Sequence, residues 1–80
     1  MLSDEKIVEK IKYILLKQGK NVDNITLDST LRDISFRSLD FAELCLRIEE
    51  EIGRELNFEA SQLRTMVTVD DVCEFIKNAI

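Results

Sequence analysis

Apolar residues recur at helical spacing in three segments of the chain. The first segment runs from about Asp4 to Gln18, and Ser3 before it is of a type that commonly caps a helix. Its apolar residues share the i, i+4, i+7 and i+8 spacing of one helix face. They are Ile7, Ile11, Ile14 and Leu15. Gly19 follows the segment at the position where a left-handed residue often ends a helix.

Two further helices are predicted by the same periodicity. The second runs from Ser38 to about Leu56, although Gly53 is expected to weaken its last turn by roughly 1 kcal/mol relative to alanine. The last begins after Thr68, which forms a capping pattern with Asp71 three residues later. The predicted core faces are Phe41, Leu44, Cys45, Ile48 and Ile52 in the second helix, and Val69, Val72, Cys73, Ile76 and Ile80 in the last. Phe58 to Leu63 is predicted to form one or two turns of a short helix.

The segment from Lys20 to Arg37 breaks the periodicity with many Asn, Asp, Ser and Thr residues. Its apolar residues are frequent enough to hold it against the core, unlike a disordered linker. They are Ile25, Leu27, Leu31, Ile34 and Phe36. No strand alternation is visible, so the fold class is predicted to be all-α. We expect a single domain over residues 1–80, with three main helices, one short helix and a long loop between helices 1 and 2.

Composition excludes several classes of function. The net charge is −5, which provides no basic surface for nucleic acid. The chain has no histidine, two cysteines and two glycines, so histidine-dependent nucleophilic catalysis, a zinc site and glycine-rich phosphate loops are not expected. These absences favour a protein that is not an enzyme. No apolar run is long enough to span a membrane, the N-terminal residues are acidic, and the cysteine usage suggests the reducing cytoplasm.

The residues around Ser38 resemble a known family. Asp33 to Asp40 reads Asp-Ile-Ser-Phe-Arg-Ser-Leu-Asp, at the start of the second helix, and Thr65 to Val72 precedes the last helix. Together with the order of helices and loop, this is similar to the acyl carrier proteins. The resemblance implies that Ser38 receives 4′-phosphopantetheine, whose thiol holds acyl groups as thioesters. It also implies a monomeric carrier, with coenzyme A, a phosphopantetheinyl transferase, and acyl-transferring or condensing enzymes as partners.

Three residues before Ser38 depart from the pattern of that family. Ser35 stands where glycine is usual, Phe36 where a small or flexible apolar residue is usual, and Arg37 where aspartate is usual. The aspartate helps the transferase and its metal ion engage the carrier, so Arg37 leaves open which transferase acts. A serine at a helix start also lies where backbone N–H groups favour a phosphate, which Arg37 could contact. Taken alone, Ser38 is better interpreted as a helix cap, and the family-wide resemblance reverses that preference.

The outer face of the second helix is a candidate docking surface. Leu39, Glu43, Leu46 and Glu50 form one stripe away from the core, and Asp40 lies beside it. Exposed leucines flanked by acids next to a modification site suit enzymes with basic rims. Arg47 and Arg54 follow the two glutamates at i+4, which predicts weak ion pairs and a restricted set of partners.

Two alternatives remain open from the sequence. The chain could carry aminoacyl, peptidyl or other specialised groups, since its residues before Ser38 are unusual. It could also be an unmodified helical adaptor that binds a protein through Leu39 and Leu46. Cys45 and Cys73 lie on predicted core faces and are interpreted as small buried apolar residues.

Overall fold

The computed structural model describes residues 2–80 and contains four helical segments. They are α1 (Asp4–Lys17), α2 (Ser38–Ile52), a 3₁₀ helix (Ala60–Thr65) and α3 (Val69–Ala79). This arrangement confirms the predicted all-α bundle of three main helices and one short one. Among residues 2–80, no helix combines the length and apolar character needed to cross a membrane.

α1 begins and ends at the residues that mark its ends in the sequence. The Ser3 hydroxyl accepts a hydrogen bond from the N–H of Lys6 at 3.3 Å. At the other end Gly19 has a φ of +79°, which glycine adopts without strain, and its N–H donates to the carbonyl of Leu16. The helical path therefore ends in a turn directly after α1.

The connection between α1 and α2 is held against the core, as predicted. Its apolar side chains are buried or partly buried, and they are Ile25, Leu27, Leu31, Ile34 and Phe36. Its backbone is also bonded to the segment that precedes α3. The N–H of Leu31 donates to the carbonyl of Val67, and the N–H of Val69 donates to the carbonyl of Ser29, each at 2.9 Å. These contacts fix the path by which the chain enters α2.

α2 ends earlier than predicted. Its last residue is Ile52, and Gly53 follows with a φ of +75° and an N–H that donates to the carbonyl of Glu49 at 2.9 Å. The prediction that the helix continues to Leu56 is therefore wrong, because Gly53 is the left-handed residue that ends it. Beyond the turn, the N–H of Leu56 donates to Glu49 Oε2 at 2.7 Å, which holds that apolar side chain in the core.

The short helix is also displaced from its predicted position. It spans Ala60–Thr65 as a 3₁₀ helix rather than residues 58–63. Its start is set by Glu59, whose N–H donates to Gln62 Oε1 at 2.6 Å. Leu63 is its buried residue. The apolar residues of this segment are too few to show a helical period, so the polar contact decides where the turn begins.

α3 begins with the predicted reciprocal cap. The Thr68 hydroxyl accepts from the N–H of Asp71 at 3.2 Å, and Asp71 Oδ2 accepts from the N–H of Thr68 at 3.0 Å. The buried face of the helix is Val69, Val72, Cys73 and Ile76. Ile80 was expected on that face, which is wrong, because the helix ends at Ala79 and Ile80 is 43% exposed.

The three main helices and the long loop share one apolar core. Phe41 of α2 is fully buried in it, with its ring at 6.2 Å from that of Phe58 and 5.7 Å from that of Phe75. Ile52, at the end of the predicted face of α2, is only partly buried. α2 thus packs inward through its apolar face, while Leu39, Leu46 and Glu50 on its outer face are exposed.

Candidate functional site

Ser38 is the first residue of α2, and its side chain is exposed. Arg37 occupies the cap position before it, so the interpretation of Ser38 as the helix cap is wrong. Within residues 2–80 the Ser38 hydroxyl has no hydrogen-bond partner. The free N–H groups of a first helical turn favour negative charge at this place. The hydroxyl is therefore accessible, and a phosphate attached to it would lie in a favourable field.

Asp40 provides the cap that Ser38 does not. Its Oδ2 accepts from the N–H of Arg37 at 2.9 Å, and its Oδ1 accepts from Gln18 Nε2 at 2.6 Å. Asp40 as a whole is only 7% exposed. Its expected place on the docking surface is therefore wrong, because both oxygens are used inside the fold. An acid three residues after a cap position is the signal in the sequence that could have identified this role.

An open recess of about 620 Å³ lies beside Ser38. Its other lining residues are Gln18, Lys20, Arg37, Leu39 and Asp40. Lys20 Nζ donates to the carbonyl of Ser35 at 2.9 Å, which fixes its ammonium near the start of α2. The sequence alone did not indicate Lys20 or Gln18, since both follow the last residue of α1 and are distant in sequence from the start of α2.

The three unusual residues before Ser38 have separate structural roles. Ser35 has a φ of +57°, in the left-handed region that glycine adopts most easily. Phe36 is 3% exposed and packs in the core. Arg37 is exposed and donates its backbone N–H to Asp40. Of the three, only the Arg37 side chain changes the chemistry around the hydroxyl.

The predicted stripe on the outer face of α2 is open to solvent at both leucines. Leu39 is 85% exposed and Leu46 is 53% exposed. Glu50, in the same stripe, is also exposed. Glu43 is half-buried, because it leans toward α1. The stripe therefore combines apolar contact area with one freely exposed carboxylate.

Glu43 is neutralised by two cations. Its Oε2 lies 2.7 Å from Lys17 Nζ and 2.8 Å from Arg47 Nε. Hydrogen bonds from Lys17 and then from Arg47 lower the pKa of Glu43 below its usual value. The same two cations also contact the exposed ring of Tyr13, whose centroid lies 5.3 Å from the ammonium and 4.9 Å from the guanidinium. Tyr13 was not indicated by the sequence pattern.

The second ion pair predicted on α2, between Glu50 and Arg54, does not form within residues 2–80. Arg54 was expected to pair with Glu50, which is wrong, since α2 ends at Ile52 and Gly53 turns the chain away. The pair of Arg47 with Glu43 is confirmed. The acidic character of this face is thus reduced at Glu43 but not at Glu50.

The two cysteines are free and buried in the core. Burial raises the pKa of the Cys45 thiol to about 12, with a further contribution from Glu49. Burial likewise raises the pKa of Cys73 to about 12. A thiol that stays protonated and inaccessible is not a nucleophile, which agrees with their interpretation as small apolar residues.

The residues at the start of α2 fit a covalently attached phosphodiester. They offer an exposed hydroxyl, the free N–H groups of a first helical turn, and the cations Lys20 and Arg37 in one recess. A family model described as "Phosphopantetheine attachment site" matches residues 9–76, which is most of the chain and includes the whole recess. The protein therefore belongs to the phosphopantetheine-binding carrier protein family, whose cofactor is covalently attached 4′-phosphopantetheine.

Proposed function

We propose that Ser38 is the attachment residue and that the protein acts as a non-catalytic acyl carrier in fatty-acid, lipid or polyketide biosynthesis. The observation that carries the proposal is the exposed, unbonded Ser38 hydroxyl at the start of α2 in a chain of the phosphopantetheine family. When attached, the thiol of the group supplies a thioester, which activates the acyl carbonyl for transfer and condensation. The protein itself supplies the position of the thiol and a surface that partners recognise.

Loading requires one group transfer at Ser38. The hydroxyl oxygen forms a bond to the phosphorus that bears pantetheine in coenzyme A, and the pyrophosphate P–O bond breaks. The adenosine bisphosphate half of coenzyme A leaves, and the hydroxyl proton passes to a base supplied by the transferase. Because the Ser38 side chain is exposed and engages no neighbour within residues 2–80, no hydrogen bond must break before the oxygen can react.

The surroundings of Ser38 keep the hydroxyl in a defined position. Asp40 holds the backbone before Ser38 through the N–H of Arg37, and it joins the first turn of α2 to the side chain of Gln18 after α1. The buried ring of Phe36 anchors the loop that leads into the helix. We infer that a partner enzyme meets a rigid helix start instead of a flexible loop tip.

The outer face of α2 is proposed as the docking surface, with Leu39, Leu46 and Glu50 as its exposed contacts. Glu43 contributes less charge than expected, because Lys17 and Arg47 pair with it. Partners with strongly basic rims would gain fewer contacts here than on a uniformly acidic helix. We therefore expect a restricted set of partners and weak exchange with a generic fatty-acid synthase. Full activity with such a synthase would contradict this restriction.

The test of the attachment residue is the intact mass after incubation with coenzyme A and a phosphopantetheinyl transferase. The parent chain is expected to gain one phosphopantetheine group, and Ser38→Ala is expected to gain none. Ser61→Ala is the matched control, since Ser61 is an exposed serine near the start of the 3₁₀ helix. Because Arg37 stands beside the hydroxyl, transferases of more than one specificity are tried. Absence of loading with all of them would favour an unmodified adaptor.

The nature of the cargo needs a second measurement. The mass of the group attached to the protein in its native cell separates an acyl thioester from an aminoacyl or peptidyl one. An amino acid on the thiol would replace the acyl assignment and leave the attachment at Ser38 intact. Family membership alone favours a carrier over an adaptor without choosing between these cargoes.

A further inference from the structure

We propose that Lys20 and Arg37 together hold the phosphodiester of the attached arm, so that the base of the arm has a fixed place beside α2. Both residues line the same recess as Ser38. The inference rests on the proposed attachment at Ser38 and extends it to the residues that contact the phosphate. Lys20 and Arg37 act here as positioning residues.

The two cations are available for this contact. Among the ion pairs of residues 2–80, none includes Lys20 or Arg37, whereas the nearby Lys17 and Arg47 are both paired with Glu43. The one carboxylate in the recess belongs to Asp40, and hydrogen bonds from the N–H of Arg37 and from Gln18 occupy its two oxygens. The recess therefore holds two cations that no ion pair of residues 2–80 engages, against the single negative charge of Asp40, so its net charge is positive.

Lys20 is already held in place before any phosphate is attached. Its ammonium donates one hydrogen bond to the carbonyl of Ser35 at 2.9 Å. An ammonium has three N–H donors, so two remain for an anion. The half-buried stem of Lys20 and this carbonyl contact restrict the side chain, so less rotamer freedom is lost on binding than at a free surface lysine.

Arg37 lines the same recess as Lys20 and Ser38. It directly precedes Ser38, and its guanidinium presents planar paired donors that suit phosphate oxygens. Where the family usually has aspartate, whose negative charge would repel the phosphate of the arm, this chain thus has a cation that attracts it. The free N–H groups of the first turn of α2 add to the same field.

The test uses the loaded protein and the phosphorus-31 resonance of its phosphodiester. Lys20→Gln, Arg37→Gln and the double variant are compared with the parent, and each protein in denaturing urea supplies the resonance of a free arm. The native resonance is expected to be displaced from the denatured one in the parent. Each single variant should lose part of that displacement and the double variant more than either, while the N–H groups of the first turn of α2 keep a remainder. Raising the ionic strength should also reduce the displacement, because exposed charges are screened.

Lys12→Gln is the matched control, since Lys12 lies on α1 and lines a different recess. It removes the same charge and is expected to keep the parental displacement. The unloaded variants are melted first, because Lys20 also contacts the Ser35 carbonyl. The Arg37 side chain is exposed and takes part in none of the ion pairs of residues 2–80, so Arg37→Gln is the variant expected to separate arm binding from folding.

Two results would overturn the proposal. If the loaded parent has the same phosphorus resonance in its native and denatured states, its phosphate has no fixed place. If the displacement is the same in the parent and in the double variant, Lys20 and Arg37 do not hold the phosphate. In both results the mass gain is present, so the attachment at Ser38 stands. Failure of the parent to load at all removes the attachment and the phosphate contact together.

Discussion

Gln18 Nε2 donates a hydrogen bond to Asp40 Oδ1 at 2.6 Å, which joins the turn after α1 to the first turn of α2. The other oxygen of the same carboxylate accepts the N–H of Arg37 at 2.9 Å. One buried side chain therefore closes the start of α2 and connects it to the neighbouring helix. The position of Ser38 depends on this polar contact as well as on apolar packing.

Asp40→Ala is expected to lower the free energy of unfolding by about 1–3 kcal/mol, since it removes a helix cap and leaves the amide of Gln18 without its partner. Urea unfolding of the unloaded protein measures the change. Glu50→Ala is the control on the same helix, because Glu50 is exposed, and it should stay within about 0.5 kcal/mol of the parent. Equal effects of the two substitutions would show that the buried contact contributes nothing.

The sign of the change in the free energy of unfolding caused by Gly53→Ala distinguishes between the predicted and the observed end of α2. A glycine inside a helix would give a gain of about 1 kcal/mol on replacement by alanine. Gly53 instead has a φ of +75°, so alanine is expected to destabilise the protein by about 1 kcal/mol, although an added Cβ would meet no atom within 4 Å. A measured stabilisation would mean that the helix continues through this position.

The end of α2 at Gly53, earlier than the sequence predicts, illustrates which features the sequence could predict. The core faces of the three main helices follow from apolar spacing, because each helix buries one side against the others. A glycine at the end of that pattern is compatible with both an interior and a terminal position, so the boundary was misplaced. The periodicity also does not show which polar groups meet across the bundle.

The partners of the site residues are distant in sequence, which explains why most of them were missed. Gln18 reaches Asp40 across 22 positions, and Lys17 reaches Glu43 across 26. Such contacts depend on how α1 and α2 pack, whereas the two exposed leucines follow from the helical period of the local sequence. Ser38 was singled out only by the resemblance of the whole chain to a family. The sequence therefore predicted the exposed stripe of α2 better than the contacts around Ser38.

Ser35→Gly is expected to stabilise the protein by about 0.5–1 kcal/mol. The left-handed φ of +57° strains a residue with a Cβ, and glycine relieves the strain but loses more backbone freedom on folding. Ser35→Ala is the control, because it keeps the Cβ and should show no such gain. Thermal and urea unfolding of the unloaded protein compare the three chains. A glycine variant that is no more stable than the alanine variant would contradict the assignment of strain.

Stability is expected to fall in acid partly through Asp71. Hydrogen bonds from the N–H of Val67 and then of Thr68 lower the pKa of Asp71 below its ordinary value of 3.8. Because the folded pKa is the lower one, the contribution is complete above the unfolded pKa and is lost as the pH falls through the folded pKa. Unfolding followed from neutral pH down into this range should show a shallower decline in Asp71→Asn than in the parent. Identical slopes would exclude Asp71 as a source of the acid sensitivity.

Leu46→Ala tests whether the outer face of α2 is a docking surface. Leu46 is 53% exposed and outside the core, so its truncation should change the free energy of unfolding by no more than about 0.5 kcal/mol. If the transferase contacts this side chain, kcat/KM for loading Ser38 should fall about fivefold to tenfold, as expected for loss of one apolar interface contact of about 1 kcal/mol.

The control for Leu46 is Leu16→Ala, because Leu16 has a similar exposure of 59% but lies on α1. Its truncation removes the same apolar group and should leave loading unchanged. If only Leu46→Ala lowers kcat/KM for loading, the docking contact lies on α2, because the two variants lose the same side chain and are expected to have similar stability. Equal losses at both leucines would indicate a nonspecific effect of surface hydrophobicity, and unchanged loading in both would remove Leu46 from the surface used by the transferase.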